Sequence, residues 1–522
     1  MRIERIYRYI QWQISRGQEE NRRKRRWVGQ TKKIGRWLTF FLTAVLAMAG
    51  LATRVRGKEH AGLNGTVVDT TGAPIQGAQI EFRSAAGVVV VGSDEKGHFR
   101  LEGTEAGGTL VLSFAGFATV SREIRAHTSA EIPQIVLVPA PGLQRIEVQG
   151  TSGDRIPAVP TSQYEIPAQE IELSGSMAVD DVLREVPGFS TFRRSSSLFA
   201  NPTSQGISLR GVGASATSRS SVLLDGTPLN DPFGGWVYWA RVPKQAIETM
   251  EVVNGGASDL YGGGALGGVV NLRTKTAEEA YATGEFSYGN MYTPDFSFSA
   301  GTPIGKWSLN GAGQAYQTNG YISVPPDQRG SVDTDLGSGI LSGMLEASRR
   351  VGERGQFFVR TSGFGDSSKN GTPLQNNDTT IWEVDLGADW SSTEAGNFSA
   401  RLYGSRELYH QTFSSIAPNR DSESLTDVQR NPSQQVGFVG TWSRLIEEKH
   451  KVSAGVEAMN ARGHSEEANY HLGAETALVD AGGRQHTFGV FAQDAFLFAR
   501  GWLLTFGGRL DAWNNNSGYQ MR

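Results

Sequence analysis

The fold class predicted for this chain is mainly β, and three observations predict it. Four short apolar runs between 206 and 275 (ISLRG, SVLLDG, TMEVVNG and GVVNLRT) alternate with turns rich in Gly, Asn and Pro, with no ten-residue helical period among them. From residue 281 onward, apolar and polar residues alternate with period two. Several of these runs reach the length needed to span a membrane, about 9–11 residues. Glycine is abundant, at 65 of 522 residues, with 24 Phe, 14 Tyr and 11 Trp, as suits many short strands and turns.

Composition also excludes function classes. A net charge of −3 gives no bias toward nucleic acid, so no nucleic-acid partner is expected. Cysteine is absent, which removes disulfide frameworks and thiolate metal sites. His464 and Glu467 make an H-x-x-E match, but it lies in a polar stretch with no partner histidine implied. Gly262, Gly264 and Gly267 fit G-x-G-x-x-G, yet a strand follows them where a dinucleotide site needs a helix. No nucleophile elbow or phosphate loop is present. The chain is therefore not expected to be an enzyme, and no catalytic residue, cofactor or metal is assigned.

Each segment follows in order. Residues 1–49 read as an export signal with a long basic lead: RRKRR at 22–26, an apolar run at 37–52 and the A-x-A site Ala47-Met48-Ala49. That run is short for a transmembrane helix, which needs about 20 residues. Residues 63–139 hold β-runs separated by T-G-A-P and D-E-K-G turns, the spacing of a small β-sandwich. A Pro/Gly/Ser-rich linker, 140–160, contains a β-prone run at 143–149. Residues 161–276 form a small α+β domain. In it Ser176 is expected to cap a short helix carrying Val179, Val182 and Leu183, which Pro187-Gly188 ends.

The last segment, 281–522, has the pattern of an antiparallel transmembrane β-barrel. Phe398, Ala400, Leu402 and Gly404 alternate with Asn397, Ser399, Arg401 and Tyr403. Val452, Ala454, Val456 and Ala458 alternate with Lys451, Ser453, Gly455 and Glu457, and Trp502, Leu504, Phe506 and Leu510 with Thr505, Arg509 and Asp511. One apolar face and one polar face suit lipid outside and a wet lumen inside. A soluble sandwich with one buried face is the alternative. Eleven candidate strands lie between Tyr281 and Trp513.

The order and wording of 206–275 closely resemble the plug domain of TonB-dependent outer-membrane receptors, in which a small domain blocks the lumen of a large barrel. Residues 63–139 resemble the carboxypeptidase-regulatory-like module that often precedes such plugs. Plugged transporters use about 22 strands, so the barrel is expected to be truncated, its N-terminal half. The resemblance implies a TonB box at Arg145, Ile146, Glu147, Val148 and Gln149, which adds as a strand to the TonB-type periplasmic energy-coupling protein. It implies a plug–barrel latch at Arg210. Where the family commonly has Arg-Gly-Pro, this chain has Asn254-Gly255-Gly256, so the second latch arginine is missing and the latch is lost or made elsewhere.

Two loops, 192–205 and 230–239, are expected to face the extracellular side. They supply the candidate ligand contacts Arg193, Arg194, Asn230, Asp231, Phe233, Trp236, Tyr238 and Trp239. The alternative is that the aromatics pack the plug against the barrel wall. The family implies energy-coupled import of a scarce bulky solute, a ferric siderophore or cobalamin-like ligand. Rival readings are a glycan or peptide importer acting with a surface lipoprotein, and a passive structural or adhesin-like barrel. The expected location is the outer membrane, in contact with its lipid, with the N-terminal domain in the periplasm.

Overall fold

The computed structural model describes residues 62–137 apart from 70–72, 85–86, 103–106, 115–119 and 125–133, and residues 162–522 apart from 194, 213–217, 256, 262, 353, 448 and 500–501. The export signal (1–49), the linker (140–160) and the 145–149 run fall outside these. The described residues lie in two compact units, within Thr53–Ile146 and Glu147–Arg522.

The first unit is a two-layer β-sandwich. Gly62–Val68 pairs with His98–Glu102 and with Ile135–Val136, while Gln79–Ser84 sits between Gly87–Gly92 and Gly108–Ser113, with Val120–Ile124 at the far edge. Alternation places Leu63, Val67, Ile80, Phe82, Leu101, Leu110 and Leu112 in one core, each with no exposed surface. The D-E-K-G segment joins Gly87–Gly92 to His98–Glu102, and Asp94 holds its turn by accepting from the N–H groups of Lys96 and His98 (2.9 and 2.8 Å).

Within the second unit, a five-stranded plug sheet runs in the order Thr227–Pro228, Ser220–Leu224, Gly268–Thr274, Ile247–Asn254 and Ser162–Pro167. Ser220–Leu224 and Gly268–Thr274 are parallel, and the other pairings are antiparallel. The four apolar runs found in the sequence are strands here. Gly268 occupies φ 138°, and a Cβ there would meet the Val253 carbonyl oxygen at 2.1 Å, so only glycine lets these strands close. Helix Val179–Val182 forms on the expected face, with Val179, Val182 and Leu183 buried. Its cap differs from expectation: Ala178 occupies the N-cap without a side-chain bond, and Ser176 donates its N–H to Ser174 Oγ (3.2 Å). A further helix, Ala168–Leu173, was hidden in the sequence because only Ile171 of its six residues is buried.

The eleven strands expected after residue 281 are present as one antiparallel meander, from Tyr281–Gly289 to Trp502–Met521, each beside its chain neighbour. Its polarity is inverted relative to a soluble sheet. In strand Gln375–Ser392, Trp382, Val384 and Leu386 are 43, 50 and 41 % exposed, whereas Glu383 and Asp385 between them are 2 and 1 % exposed. Apolar side chains outside and buried carboxylates inside are what a lipid-embedded wall around a filled lumen requires. No helix among the described residues is long and apolar enough to cross a membrane.

The two ends of the sheet differ. One end closes through short connections such as 305–306, 393–395 and 447–449, and the other carries the 319–337 loop and strand overhangs that bring Ala474–Ala499 to 26 residues. Trp390, Phe398 and Trp502 stand exposed near the short-turn end, and Trp442 there donates Nε1–H to the Ala395 carbonyl (2.8 Å). Such a band of aromatics suits a membrane interface. Arginine at Val384, on the lipid face, is expected to destabilise the sheet by about 2–4 kcal/mol, while arginine at Leu478, on the overhang, should cost under about 1 kcal/mol. Urea titration in lipid vesicles measures both; equal costs would contradict the inverted, depth-dependent surface.

Candidate functional site

The plug meets the barrel along a column of lumen-facing polar residues, and an Asp-Gly turn anchors its base. Asp225 at φ 50° and Gly226 at φ 84° form the tight turn after Ser220–Leu224, a conformation that Asp and Gly tolerate. The Asp225 carboxylate accepts from the backbone N–H (3.1 Å) and hydroxyl (2.8 Å) of Thr274, tying two plug strands together. It also pairs with Arg360 of barrel strand Gly355–Thr372. Arg360 is fully buried. It donates Nε–H to Asp385 (2.9 Å) and Nη2–H to the Leu224 carbonyl (3.2 Å), and Glu346 lies 3.6 Å away. Arg401 donates Nε–H to the Asp225 carbonyl (2.7 Å) and pairs with Asp389 (3.0 Å). Two barrel arginines thus grip one plug turn.

One step further from the short-turn end, plug Arg241 pairs with barrel Glu383. Above it Tyr238 donates its hydroxyl to Glu407 Oε1 (2.7 Å). Burial, and next the Glu407 carboxylate, push the Tyr238 phenol well above its ordinary value, so it remains a donor. Trp236 and Tyr238 pack with Tyr316, Ile340, Phe364 and Ile381 of the wall, with Tyr238–Phe364 centroids 5.7 Å apart and Trp236–Tyr409 centroids 6.2 Å apart. At the loop end, Ser338 Oγ donates to the Leu198 carbonyl (2.6 Å), and Phe199 meets Tyr321 edge-on at 6.3 Å.

The candidate ligand residues divide accordingly. Trp236, Tyr238 and Trp239 are 9, 2 and 1 % exposed: the first two pack on the wall and the third joins the plug core against Phe189. Asn230 braces its own loop, accepting from Val222 N–H (2.8 Å). Asp231 is buried and accepts from Phe233 N–H (2.8 Å). Arg193 is buried against Asp180, and burial takes its guanidinium down to about 10. Phe233, 57 % exposed, is the aromatic of this loop that remains largely uncovered. Arg194 lies outside the described residues.

The latch differs from the one implied by resemblance. Arg210 is exposed and makes no ion pair among the described residues. Asn254 is buried and donates Nδ2–H to the Pro187 carbonyl (2.9 Å), so it holds the Pro187-Gly188 turn. The ion pairs to the wall run instead through Asp225, Arg241, Arg360 and Glu383. A signal for them existed: Glu383 and Asp385 fall on the inner parity of a strand whose outer parity is apolar, and Asp225-Gly226 is a turn dipeptide.

At the loop end of the sheet, the 319–337 loop is strapped to loop 417–422. Arg420 donates Nε–H to both Asp333 oxygens (3.0 and 2.9 Å), and Val332 N–H reaches the Arg420 carbonyl (3.1 Å). Hydrogen bonding from Arg420 holds the Asp333 carboxyl below its usual range.

Comparisons with known proteins agree with this geometry. Residues 155–269 match the TonB-dependent receptor plug domain, and residues 62–138 match the carboxypeptidase regulatory-like domain. The chain is 34% identical over 119 residues to the probable TonB-dependent siderophore receptor PirA of Acinetobacter baumannii, covering 21% of this chain and 15% of that protein. It is 31% identical over 115 residues to the vitamin B12 transporter BtuB of Vibrio vulnificus, covering 22% of this chain and 18% of that one. Among solved structures, it resembles the unliganded ferric citrate transporter FecA (TM-score 0.54, 15% identity, 69% of this chain, 58% of that one). It also resembles the siderophore receptor PirA of Acinetobacter baumannii (TM-score 0.53, 15% identity, 69% of this chain, 57% of that one). The matched segments thus span under a fifth of those two curated relatives and a little over half of those two structures. The chain joins a carboxypeptidase regulatory-like module to the plug and barrel fold of TonB-dependent receptors, a family of receptors and transporters rather than enzymes.

Replacing Arg360 with Met strands three carboxylates and is expected to cost about 3–5 kcal/mol. Urea unfolding followed by tryptophan emission reads this loss, and a loss under about 1 kcal/mol would deny Arg360 its anchoring role. A depressed carboxyl contributes stability at neutral pH that is lost as pH falls through its folded value. Hydrogen-exchange protection of the Val332 and Thr334 amides should therefore persist on acidification and drop only below about pH 4.

Proposed function

We propose that this chain acts as a TonB-dependent receptor of the outer membrane that imports a scarce bulky solute, a ferric siderophore or a cobalamin-like ligand, with its N-terminal module in the periplasm. The observation that carries the proposal is the inverted sheet closed against a plug by buried ion pairs. A wall with apolar residues outward and carboxylates inward has a use where lipid lies on one side and a polar, removable filling on the other. The names of the matched relatives, a siderophore receptor and a vitamin B12 transporter, supply the ligand classes.

In this reading the ligand reaches the loop end of the lumen and meets exposed Phe233. Differential binding shifts the plug toward a state that frees the 145–149 run. That run adds as a strand to the TonB-type coupling protein, whose backbone ladder demands little of side chains. Force on the linker then parts the column at its polar contacts. Ion pairs and hydrogen bonds suit this, because entering water can replace each partner, whereas an interdigitated apolar interface has no such substitute.

Uptake of radiolabelled ferric siderophores and of cobalamin by whole cells tests the reading. Uptake of one of them should cease with a protonophore, and with Ile146→Pro, which removes a backbone donor while leaving surface binding intact. Phe233→Ala should weaken binding by about tenfold or more, as loss of an aromatic anchor does. Uptake that survives both the protonophore and Ile146→Pro would indicate a passive barrel. Binding of oligosaccharides or peptides in place of metal chelates would favour the importer that works with a surface lipoprotein.

A further inference from the structure

We propose that Asp231, Glu407 and Asn431 form a binding site for one hard cation of the calcium class, which ties the plug to the barrel wall. The inference goes beyond the import reading and does not depend on which solute is carried.

The three residues come from separate elements and line one small cavity together with Trp236 and Ser433. Asp231 stands on the plug turn, Glu407 on strand Gly396–Ile416 and Asn431 on strand Glu423–Ile446. Register sets Glu407 opposite Ser433 and Tyr409 opposite Asn431, so the residues on this patch of wall share the lumen parity. The space left is about 10 Å³, room for a single atom-sized guest.

The donors that could neutralise the site are engaged elsewhere. Glu407 receives one hydroxyl, from Tyr238 (2.7 Å). Asp231 receives backbone N–H groups from Phe233 and Gly234 on Oδ1, while its Oδ2 is buried with no partner. The Asn431 Oδ1 is likewise buried and unpartnered, on a residue 9 % exposed. Arg241, the nearby cation, is committed to Glu383 and to the Leu229 carbonyl. Asp231 and Glu407 therefore face each other as buried carboxyls within hydrogen-bonding reach, a pair that needs a shared proton or a cation between them. Two carboxylates, an amide oxygen and a hydroxyl make an all-oxygen donor set. That set selects a hard ion and offers nothing to copper or zinc, which favour nitrogen and sulfur.

Terbium(III) is the probe, because it occupies calcium sites and the Trp236 indole on the cavity wall sensitises its emission. The full chain in detergent is titrated with terbium and then with calcium. The expected result is saturable emission that calcium displaces, with affinity weakened about tenfold or more in Glu407→Gln and Asp231→Asn. Asn431→Asp, which adds a charged ligand without removing one, should tighten binding. Emission that calcium fails to displace, or that Glu407→Gln leaves within about twofold, overturns the proposal. So does an absence of saturable emission; a higher thermal midpoint in Glu407→Gln then identifies two carboxylates that share a proton.

Discussion

A guanidinium with no exposed surface needs carboxylates and carbonyls on every side, and Arg360 finds them partly on the barrel and partly on the plug. Asp385 and Glu346 come from the strands on either side of its own, and antiparallel register sets each directly opposite it. Asp225 and the Leu224 carbonyl come from the plug. Neither domain alone satisfies the group. The Asp225-Gly226 turn must therefore rest where it does, and the rest of the plug is placed by it: Thr274 through Asp225, then Arg241 on Glu383 and Tyr238 on Glu407.

Such a contact is a weak source of net stability, because desolvating the charges offsets most of their attraction. Its value is in position. An apolar plug surface would slide on an apolar wall, whereas unpaired charges penalise every seating but one. The same chemistry leaves the plug removable, since water can take the place of each partner as the column parts. The apolar part of the interface, around Trp236, Tyr238 and Phe364, sits above the ion pairs and adds burial once the register is set.

Much of the fold was legible because period two is a strong signal when both faces have a purpose. Phe398, Ala400 and Leu402 against Ser399, Arg401 and Tyr403 could be read without coordinates, as could the four plug strands and their glycine-rich turns. Helix Ala168–Leu173 was not legible, since one buried residue leaves no periodic stripe. The site was harder. Aromatics at 236, 238 and 239 look alike in sequence whether they meet ligand, wall or plug core, and the burial of the first two depends on Phe364, Ile381 and Tyr409, over a hundred residues away in the chain. That the ion pairs to the wall would lie away from Arg210 was signalled by Asn254, but their actual positions were not legible, because a resemblance carries positions and not charges. Barrel Arg360 facing plug Asp225 reverses the expected polarity, and pairing between distant elements leaves no local pattern.

The central claim, that one shared guanidinium seats the plug, is tested most directly by a double-mutant cycle. Hydrogen exchange of the Val222, Leu224, Val270 and Leu272 amides would be measured in Asp225→Asn, Arg360→Met and the pair. The account predicts a coupling of at least about 1.5 kcal/mol, the double variant losing far less protection than the two single losses combined. Additivity within about 0.5 kcal/mol would mean that Asp225 and Arg360 act independently, and that the plug is held in place by something else.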